Sequence, residues 1–269
     1  MKLYITVLLL LPLSLYSQTR FEKTFKDYNV KGSITVYDLE KDLWIYSDEN
    51  DSKIGTLPAS TFKIINSLIA LETGIIKDEK QLIKWVGIQN VDTVHYGYRP
   101  DIYKNMSLAE AFDKSAVWVH LEIAKRVGRE KYKYYLKRCG YGNQDFSEEG
   151  VDFWNFGAFK ISPIEQINFL KNLYGGNLPF SKRTISIVKK IMVTEVGANY
   201  VIRAKTGMGI LADQSIGWWV GYIETKGNVY FFATRLRTDS TKFSDKFVQD
   251  RKAFTKSILK QLGILDIAY

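Results

Sequence analysis

The sequence predicts a mixed α/β (α+β) fold, with an antiparallel sheet built from both termini, flanking helices and an all-helical region inserted in the middle. Three observations lead to this prediction. Segments rich in β-branched and aromatic residues lie near the start of the chain and again near its end, and the middle has the spacing of helices. A chain of 269 residues with 46% hydrophobic residues can also bury a substantial core.

The first residues have the pattern of a secretory signal. Lys2 gives a short positive start, residues 3–13 are mostly apolar, and the small Ser17 precedes Gln18. We therefore expect residues 1–17 to be a signal peptide, and the mature chain to be secreted across the inner membrane into the periplasm. The apolar run is too short to span a bilayer comfortably, so we expect no stable membrane insertion.

An early hairpin is predicted by residues 32–37 and 43–47, two β-branched and aromatic segments that the polar residues 38–42 separate. Helical spacing follows in segments that glycine-containing turns interrupt: 108–112, 117–127 and 164–174. Strand-like segments return before a terminal helix at 247–262: 201–205, 216–224 and 229–236.

These segments divide the mature chain into two predicted regions. Residues 18–60 and 195–269 form a mixed sheet and helix region, and residues 61–194 form a mainly helical region. We expect an active-site cleft at their junction, because small-molecule sites commonly form where two such regions meet.

Composition and charge argue against several functions. The formal net charge of +9 suggests nucleic acid, but the basic stretches at 125–138 and 182–190 have the spacing of solvated helix faces, so we expect no nucleic-acid partner. Cys139 is the only cysteine, which excludes an internal disulfide and favours a buried free thiol. With only His95 and His120, a histidine-rich zinc site is excluded, no metal is expected, and a Ser-His-Asp triad would have to use one of these two.

The segment from Pro58 to Lys63 opens an apolar stretch that ends at Gly74, as a helix ends at its C′ position. Apolar residues cover nearly every side of this predicted helix, so a lysine in its first turn is costly unless it has a partner or a task. Ser60 and Lys63 lie one turn apart on the same face. This spacing suits a nucleophile and its base, although an N-terminal cap beside a chance lysine has the same pattern.

The pattern Ser-x-x-Lys is weak evidence alone, since it recurs at Ser186 and Ser257 on predicted helix surfaces. Three short motifs follow the first one in a fixed order: Ser115-Ala116-Val117, Tyr141-Gly142-Asn143 and Lys205-Thr206-Gly207. Each alone is interpreted as an ordinary helix cap, turn or strand end, and Trp154 alone as a core residue. In this order they are much stronger evidence of a site.

This set of motifs resembles that of the penicillin-recognising serine enzymes, in which S-x-x-K precedes a short serine motif and K-T-G. Within that superfamily the chain resembles the class D, or oxacillinase-type, serine β-lactamases over roughly residues 32–262. The matching motifs are S-T-F-K at Ser60, S-A-V at Ser115, Y-G-N at Tyr141, the tryptophan at Trp154, K-T-G at Lys205 and the W-W-V-G-Y run from Trp218.

The resemblance implies a serine β-lactamase/transpeptidase-like fold and hydrolysis of the β-lactam ring of penicillin-type antibiotics, which confers antibiotic resistance. It implies that Ser60 attacks the lactam carbonyl to form an acyl-enzyme. Lys63 would be carbamylated by carbon dioxide, supplied as bicarbonate, and act as general base, with no dissociable cofactor. Val117 would keep the carbamate dry, and the indole N–H of Trp154 would donate a hydrogen bond to it.

The resemblance also assigns roles to the motifs at Ser115 and Lys205. Ser115 would pass a proton to the leaving nitrogen, and Lys205 beside it would supply positive charge. Thr206, Gly207 and Met208 would contribute to substrate binding. Thr206 would help to hold the substrate carboxylate, while the backbone N–H of Met208, with that of Ser60, would form the oxyanion hole.

Arg251 is the second group that the resemblance implies for the substrate carboxylate, with Arg235 and Arg237 as alternatives. The Tyr141-Gly142-Asn143 turn is carried over as a structural motif. Asn155, next to Trp154, is a candidate for altering how water reaches the lysine.

Several other functions remain open from the sequence. A β-lactam sensor domain shares the fold and most motifs but stays acylated and signals through a membrane-embedded region. A small penicillin-binding protein with peptidase activity usually has asparagine where Val117 stands. Class A enzymes carry S-D-N and a glutamate base in an E-x-x-L-N motif, which the segment from Glu165 to Asn168 lacks. A basic binding protein with accidental motifs is the remaining alternative.

Overall fold

The computed structural model describes residues 13–211, 213–239 and 244–265. The predicted signal peptide, residues 1–17, falls largely outside the described residues, and the first helix begins at Leu13. The leader therefore stays a prediction. Among the described residues, no helix is both long enough and apolar enough to cross a membrane.

Eight strands in the described residues form one large and one small sheet. They are β1 (Lys31–Asp38), β2 (Leu43–Tyr46), β3 (Leu82–Ile83), β4 (Met106–Ser107), β5 (Val193–Val196), β6 (Tyr200–Leu211), β7 (Gln214–Thr225) and β8 (Val229–Asp239). The large sheet has the order β2-β1-β8-β7-β6-β5, and every neighbouring pair is antiparallel. Because β1 pairs with β8, both ends of the chain build this sheet, which confirms the predicted architecture.

The helices of the described residues lie mainly between the two groups of strands. They are α1 (Leu13–Tyr28), α2 (Glu49–Ser52), α3 (Lys63–Glu72), α4 (Thr93–Tyr96), α5 (Leu108–Asp113), α6 (Val117–Val127), α7 (Arg129–Cys139), α8 (Pro163–Gly175), α9 (Lys182–Ile191) and α10 (Asp245–Gln261). Serine caps begin several of them, and α8 has a full capping box between Ser162 and Glu165.

Two hydrophobic cores lie on opposite faces of the large sheet. Neighbouring residues of a strand point to opposite faces, so Trp218 belongs to the core shared with the helical region and Trp219 to the other core. The second core also contains Phe254 of α10, whose ring lies 4.6 Å from that of Phe25 in α1. The run from Trp218 is therefore buried on both faces, as a central strand requires.

The basic stretch at 125–138 lies on helix surfaces, as predicted. Gly128, with φ of +82°, separates α6 from α7. The exposed basic residues in this stretch are Lys125, Arg126, Lys131, Lys137 and Arg138. Cys139, at the end of α7, is a buried free cysteine, which confirms its interpretation.

Candidate active site

Ser60 lies in a tight 3-10 turn (Ala59–Phe62) that leads directly into α3. It does not cap that helix, because Phe62 occupies the N-cap position and no side chain caps it, so the cap interpretation is wrong. Ala59 has φ of +49°, a left-handed conformation that costs a non-glycine residue about 1–3 kcal/mol. Its N–H donates a hydrogen bond to the carbonyl of Trp154 at 3.0 Å. The surrounding structure therefore holds the Ser60 turn in a strained geometry.

Two further contacts fix this turn against the rest of the protein. The indole Nε1 of Trp218 in β7 donates to the carbonyl of Leu57 at 3.0 Å, just before the turn. From α8, the amide of Gln166 donates to Oγ1 of Thr61 at 2.8 Å. The residue after the predicted nucleophile is thus tied to the helical region, and the segment before it to the sheet.

Lys63 begins α3, and its Nζ donates to Oγ of Ser60 at 2.7 Å. The lysine is completely buried. Burial penalises the ammonium form and lowers the pKa of Lys63 to about 7, although the carboxylate of Asp152 opposes this change. A neutral amine can therefore form near physiological pH within hydrogen-bonding distance of the serine hydroxyl, which is the geometry of a nucleophile and its base.

A second serine and lysine pair comes from the turn between α5 and α6 and from β6. Nζ of Lys205 donates to Oγ of Ser115 at 3.1 Å and to the carbonyl of Thr206 at 3.1 Å. Burial, together with the charges of Lys63 and Arg251, lowers the pKa of Lys205 well below its usual value. Gly207, two residues after Lys205 on β6, approaches Thr61 so closely that a Cβ on it would lie 3.0 Å from a methyl group of Thr61. Both serine and lysine pairs therefore lie in one site.

Ser115 was also open to interpretation as a helix cap, and that interpretation is wrong. Ala116 is the N-cap residue of α6, and it makes no side-chain capping bond. Ser115 itself has φ of +55°, again a costly conformation for a residue other than glycine. Its hydroxyl instead accepts a hydrogen bond from Lys205.

Trp154 packs against the residue that precedes Lys63. Its ring stacks on Phe62 at a centroid distance of 4.6 Å, and the whole side chain is buried. The indole N–H nevertheless has no hydrogen-bond partner within the described part of the chain. A buried donor without an acceptor is rare and calls for an explanation. Val117, the first residue of α6, is also buried.

The Tyr141-Gly142-Asn143 motif shapes the segment that carries Trp154. Asn143 bonds residues on the far side of this segment, accepting from the N–H of Lys160 at 3.0 Å and donating to the carbonyl of Ala158 at 2.9 Å. Gly142 has φ of +71°, and a Cβ there would lie 2.7 Å from the carbonyl oxygen of Lys160. The ring of Tyr141 is buried among aromatic side chains of the core.

Strand β6 passes directly alongside the Ser60 turn. A Cβ on Gly207 would lie 3.1 Å from the carbonyl oxygen of Pro58 and 3.0 Å from a methyl group of Thr61. The glycine of the K-T-G motif therefore allows the strand to approach the turn closely. Met208 is the next residue of the same strand, and Thr206 is partly exposed beside Lys205.

Arg251 contacts this strand, whereas its two alternatives do not. From α10, Nη1 of Arg251 donates to the carbonyl of Gly207 at 2.8 Å, and burial lowers the pKa of Arg251 to about 10. Arg235 forms a buried ion pair with Asp51 at 2.8 Å, and Arg237 also pairs with Asp51. Among these three candidates, Arg251 is thus the arginine that contacts the K-T-G strand.

Both histidines have other partners. His120 is buried, and its Nδ1 lies 3.1 Å from the amide oxygen of Asn66; burial and the charges of Lys63 and Lys205 lower its pKa well below the usual value. His95 is exposed and contacts Asp92. Neither ring is bonded to Ser60 or Ser115 in the described residues, so the geometry does not support a Ser-His-Asp triad.

One polar cluster beside Trp154 was missed by sequence reasoning. Asp152 accepts a short hydrogen bond from the hydroxyl of Tyr96 and a second one, at 2.6 Å, from the amide of Asn155. The sequence singles out Asn155 but neither of its partners. No local pattern could have joined Tyr96 to Asp152, because 56 residues separate them.

Two serine and lysine pairs, both with buried lysines, define a serine acyl-transfer enzyme of the penicillin-recognising type. The comparisons with known proteins agree. Residues 20–260 match the family described as penicillin binding protein transpeptidase domain. β-Lactamase OXA-48 of Klebsiella pneumoniae is 38% identical over 241 residues, which cover 90% of this chain and 87% of that protein.

A further relative and a solved structure identify the class within this family. β-Lactamase OXA-2 of Salmonella typhimurium is 36% identical, over 91% of this chain and 85% of that protein. A crystal structure of a class D β-lactamase from Sebaldella termitidis superposes with a TM-score of 0.86 at 44% identity, covering 91% of this chain and 96% of that one. The chain therefore belongs to the penicillin-binding protein transpeptidase family and, within it, to the class D β-lactamases, which are hydrolases.

Proposed function

We propose that this chain hydrolyses the β-lactam ring of penicillin-type antibiotics through an acyl-enzyme on Ser60, and so confers resistance to them. One observation carries the proposal: Nζ of the fully buried Lys63 lies 2.7 Å from Oγ of Ser60. Such a lysine can remove the hydroxyl proton as the oxygen attacks the lactam carbonyl. The names of OXA-48 and OXA-2 as β-lactamases support the same chemistry.

Ring opening needs a proton at the leaving nitrogen and a site for the negative charge on the carbonyl oxygen. Ser115, held by Lys205, passes the proton to the nitrogen. The backbone N–H groups of Ser60 and Met208 receive the developing oxyanion, a contribution of about 3 kcal/mol for a single donor. Water then attacks the acyl carbonyl and releases the product.

Lys63 is carbamylated in the active form of the proposed enzyme. The lowered pKa supports this, because only a neutral amine reacts with carbon dioxide. The buried indole N–H of Trp154 that lacks an acceptor also supports it, since an indole is a donor only and suits an anion. A carbamate supplies an anionic oxygen base where the free lysine has an amine. Val117 helps to exclude solvent from that base.

The substrate carboxylate binds beside the K-T-G strand in this proposal. Thr206 offers a partly exposed hydroxyl, and Arg251 adds a guanidinium that is buried against Gly207. Charge-assisted hydrogen bonds of this kind are about twice as strong as neutral ones. The Arg251 guanidinium already has one backbone partner, so it is held in place before the substrate arrives.

The proposed enzyme acts in the periplasm, after export by the leader at residues 1–17. The pattern of a positive start, an apolar run and the small Ser17 supports export. Cell fractionation of a strain that expresses the full chain tests this, with N-terminal sequencing of the periplasmic protein expected to begin near Gln18.

The test of the reaction uses purified mature protein and a chromogenic cephalosporin, with and without added bicarbonate. We expect multiple turnovers that bicarbonate increases, and that Ser60→Ala and Lys63→Ala abolish. Ser257→Ala and Lys260→Ala serve as matched controls, because they alter another Ser-x-x-Lys pattern on α10 and should retain full activity. A single stoichiometric burst with a stable adduct on Ser60 would instead indicate a sensor or penicillin-binding protein.

A further inference from the structure

The polar cluster beside Trp154 consists of Tyr96, Asp152 and Asn155. The amide of Asn155 donates to Asp152 at 2.6 Å and lies 3.1 Å from the hydroxyl oxygen of Tyr96. The hydroxyl of Tyr96 donates to the other carboxylate oxygen of Asp152. Asn155 is buried, and Tyr96 and Asp152 are partly buried, so the three side chains form a network that is largely screened from solvent.

This network lies next to the residues that surround Lys63. Asp152 and Asn155 flank Trp154, whose carbonyl accepts from Ala59 in the Ser60 turn. On its other side, Tyr96 lines a small cavity of about 20 Å³ together with Val117. A cavity of that size can hold one water molecule.

The charges around Asp152 are few. Burial raises the pKa of its carboxyl; hydrogen bonds from Tyr96 and Asn155 and the charge of Lys63 oppose that change, and Asp92 at the start of α4 adds to it. Lys63 is the cation that acts on Asp152, and Asp152 in turn favours the charged form of Lys63. Asp152 and Lys63 are therefore electrostatic partners across the Trp154 segment.

Two other titratable groups, Lys205 and His120, interact with the charge of Lys63, and unlike Asp152 neither of them carries a negative charge. Lys205, on β6, carries positive charge, and the charge of Lys63 helps to lower its pKa. His120, on α6, stays neutral because its pKa is well below the usual value. Asp152 is thus the group whose negative charge stabilises the protonated lysine.

We propose that Asp152 is a positioning residue that sets how readily Lys63 becomes carbamylated, and that it takes up a proton when the carbamate forms. This inference rests on the proposed carbamylation of Lys63. The reaction forms a bond between Nζ and the carbon of carbon dioxide, and the ammonium group loses two protons. Charge at the lysine falls from +1 to −1. Asp152 accepts one of the protons, and solvent accepts the other.

The direction of the effect follows from the charges. An ionised Asp152 stabilises the ammonium reactant and repels the carbamate product, so it opposes carbamylation. A protonated Asp152 is neutral, so it neither stabilises the ammonium reactant nor repels the carbamate product. Replacement of Asp152 by the isosteric asparagine should therefore favour carbamylation at pH values above the pKa of Asp152, and the gain should vanish at pH values below it.

The test compares Asp152→Asn with the unaltered protein at several pH values. We expect the bicarbonate concentration for half-maximal activity to fall several-fold above neutral pH, because one partly buried negative charge near Lys63 is removed. The ¹³C NMR signal of the carbamate, formed from labelled bicarbonate, should saturate at correspondingly lower concentration. A merely structural role would lower activity without increasing the affinity for bicarbonate.

Tyr96→Phe provides a second variant, because it removes the hydroxyl that stabilises the ionised carboxylate and should give a smaller shift in the same direction. Glu149→Gln is the matched control, since it removes an exposed negative charge from the same segment and should leave the bicarbonate response unchanged. An unchanged or weakened bicarbonate response in both Asp152→Asn and Tyr96→Phe, with a normal carbamate signal in the unaltered protein, would overturn this inference alone. Absence of that signal in the unaltered protein would overturn the proposed carbamylation and this inference with it.

Discussion

Replacement of Trp154 by phenylalanine removes the indole N–H while keeping an aromatic ring that can stack on Phe62. In the free protein this N–H is buried without an acceptor in the described residues, a condition that costs about 1–3 kcal/mol. The smaller ring leaves a cavity that also costs on the order of 1 kcal/mol. These two effects have opposite signs, so the free energy of unfolding of Trp154→Phe without bicarbonate should lie within about 1 kcal/mol of the original.

With bicarbonate, the unaltered protein and Trp154→Phe should differ in how readily Lys63 becomes carbamylated and in thermal stability. A hydrogen bond to a charged group contributes about 1.5–3 kcal/mol, so loss of the donor should weaken carbamylation of Lys63 by about ten- to a hundredfold. A ligand that binds only the folded state stabilises it more strongly the larger the ratio of ligand concentration to Kd. Bicarbonate should therefore increase the thermal stability of the unaltered protein more than that of Trp154→Phe.

The assay is a bicarbonate titration of cephalosporin hydrolysis, performed beside urea unfolding with and without bicarbonate. Activity of Trp154→Phe should recover at bicarbonate concentrations well above those that saturate the unaltered protein. An unchanged half-saturating concentration would refute the assignment of the indole N–H to the carbamate. A loss of several kcal/mol without bicarbonate would show that the N–H has a partner in the free protein.

Three further predictions concern the K-T-G strand and the buried arginines. Gly207→Ala places a Cβ about 3 Å from the carbonyl of Pro58 and should lower kcat/KM at least about tenfold with little change in melting temperature, measured by steady-state kinetics and thermal unfolding. Arg251→Ala should raise KM for penicillins by about ten- to a hundredfold and change kcat much less; equal loss in both constants would contradict a role in carboxylate binding. Asp51→Ala leaves the buried Arg235 without its carboxylate and should lower the free energy of unfolding by about 3–5 kcal/mol in urea, and a change below about 1 kcal/mol would contradict that account.

Much of the fold could be predicted because its signals are local. The helix predicted at 117–127 coincides with α6, since apolar spacing marks its buried face and Gly128 ends it. Strand pairing had no comparable signal. The pairing of β1 with β8 brings Ile34 opposite Thr234, and a contact across 200 residues leaves no periodic trace in either strand. The prediction of a sheet from both ends came instead from the order of the segments.

The candidate site likewise has features that the sequence predicts and features that only the fold determines. The order of the four motifs identified the two serine and lysine pairs, which the structure brings together. The sequence could not show that Ser115 has a positive φ angle, because that strain depends on packing around it. Nor could it separate Arg251 from Arg235, since only the fold places Asp51 beside one of them.

The burial of Lys63 shows how the apolar sequence of α3 changes the chemistry of the site. The apolar residues of α3 exclude water from the lysine, and its pKa therefore falls from the unfolded value of about 10.4 to about 7. Between those two values the unfolded chain binds one proton more than the folded chain, so stability should rise with pH across this window and be lowest below pH 7. At neutral pH the buried lysine therefore lowers the stability of the folded protein. That loss is the physical consequence of holding a reactive amine against Ser60, since the same desolvation that destabilises the ammonium form produces the neutral amine that the proposed carbamylation requires.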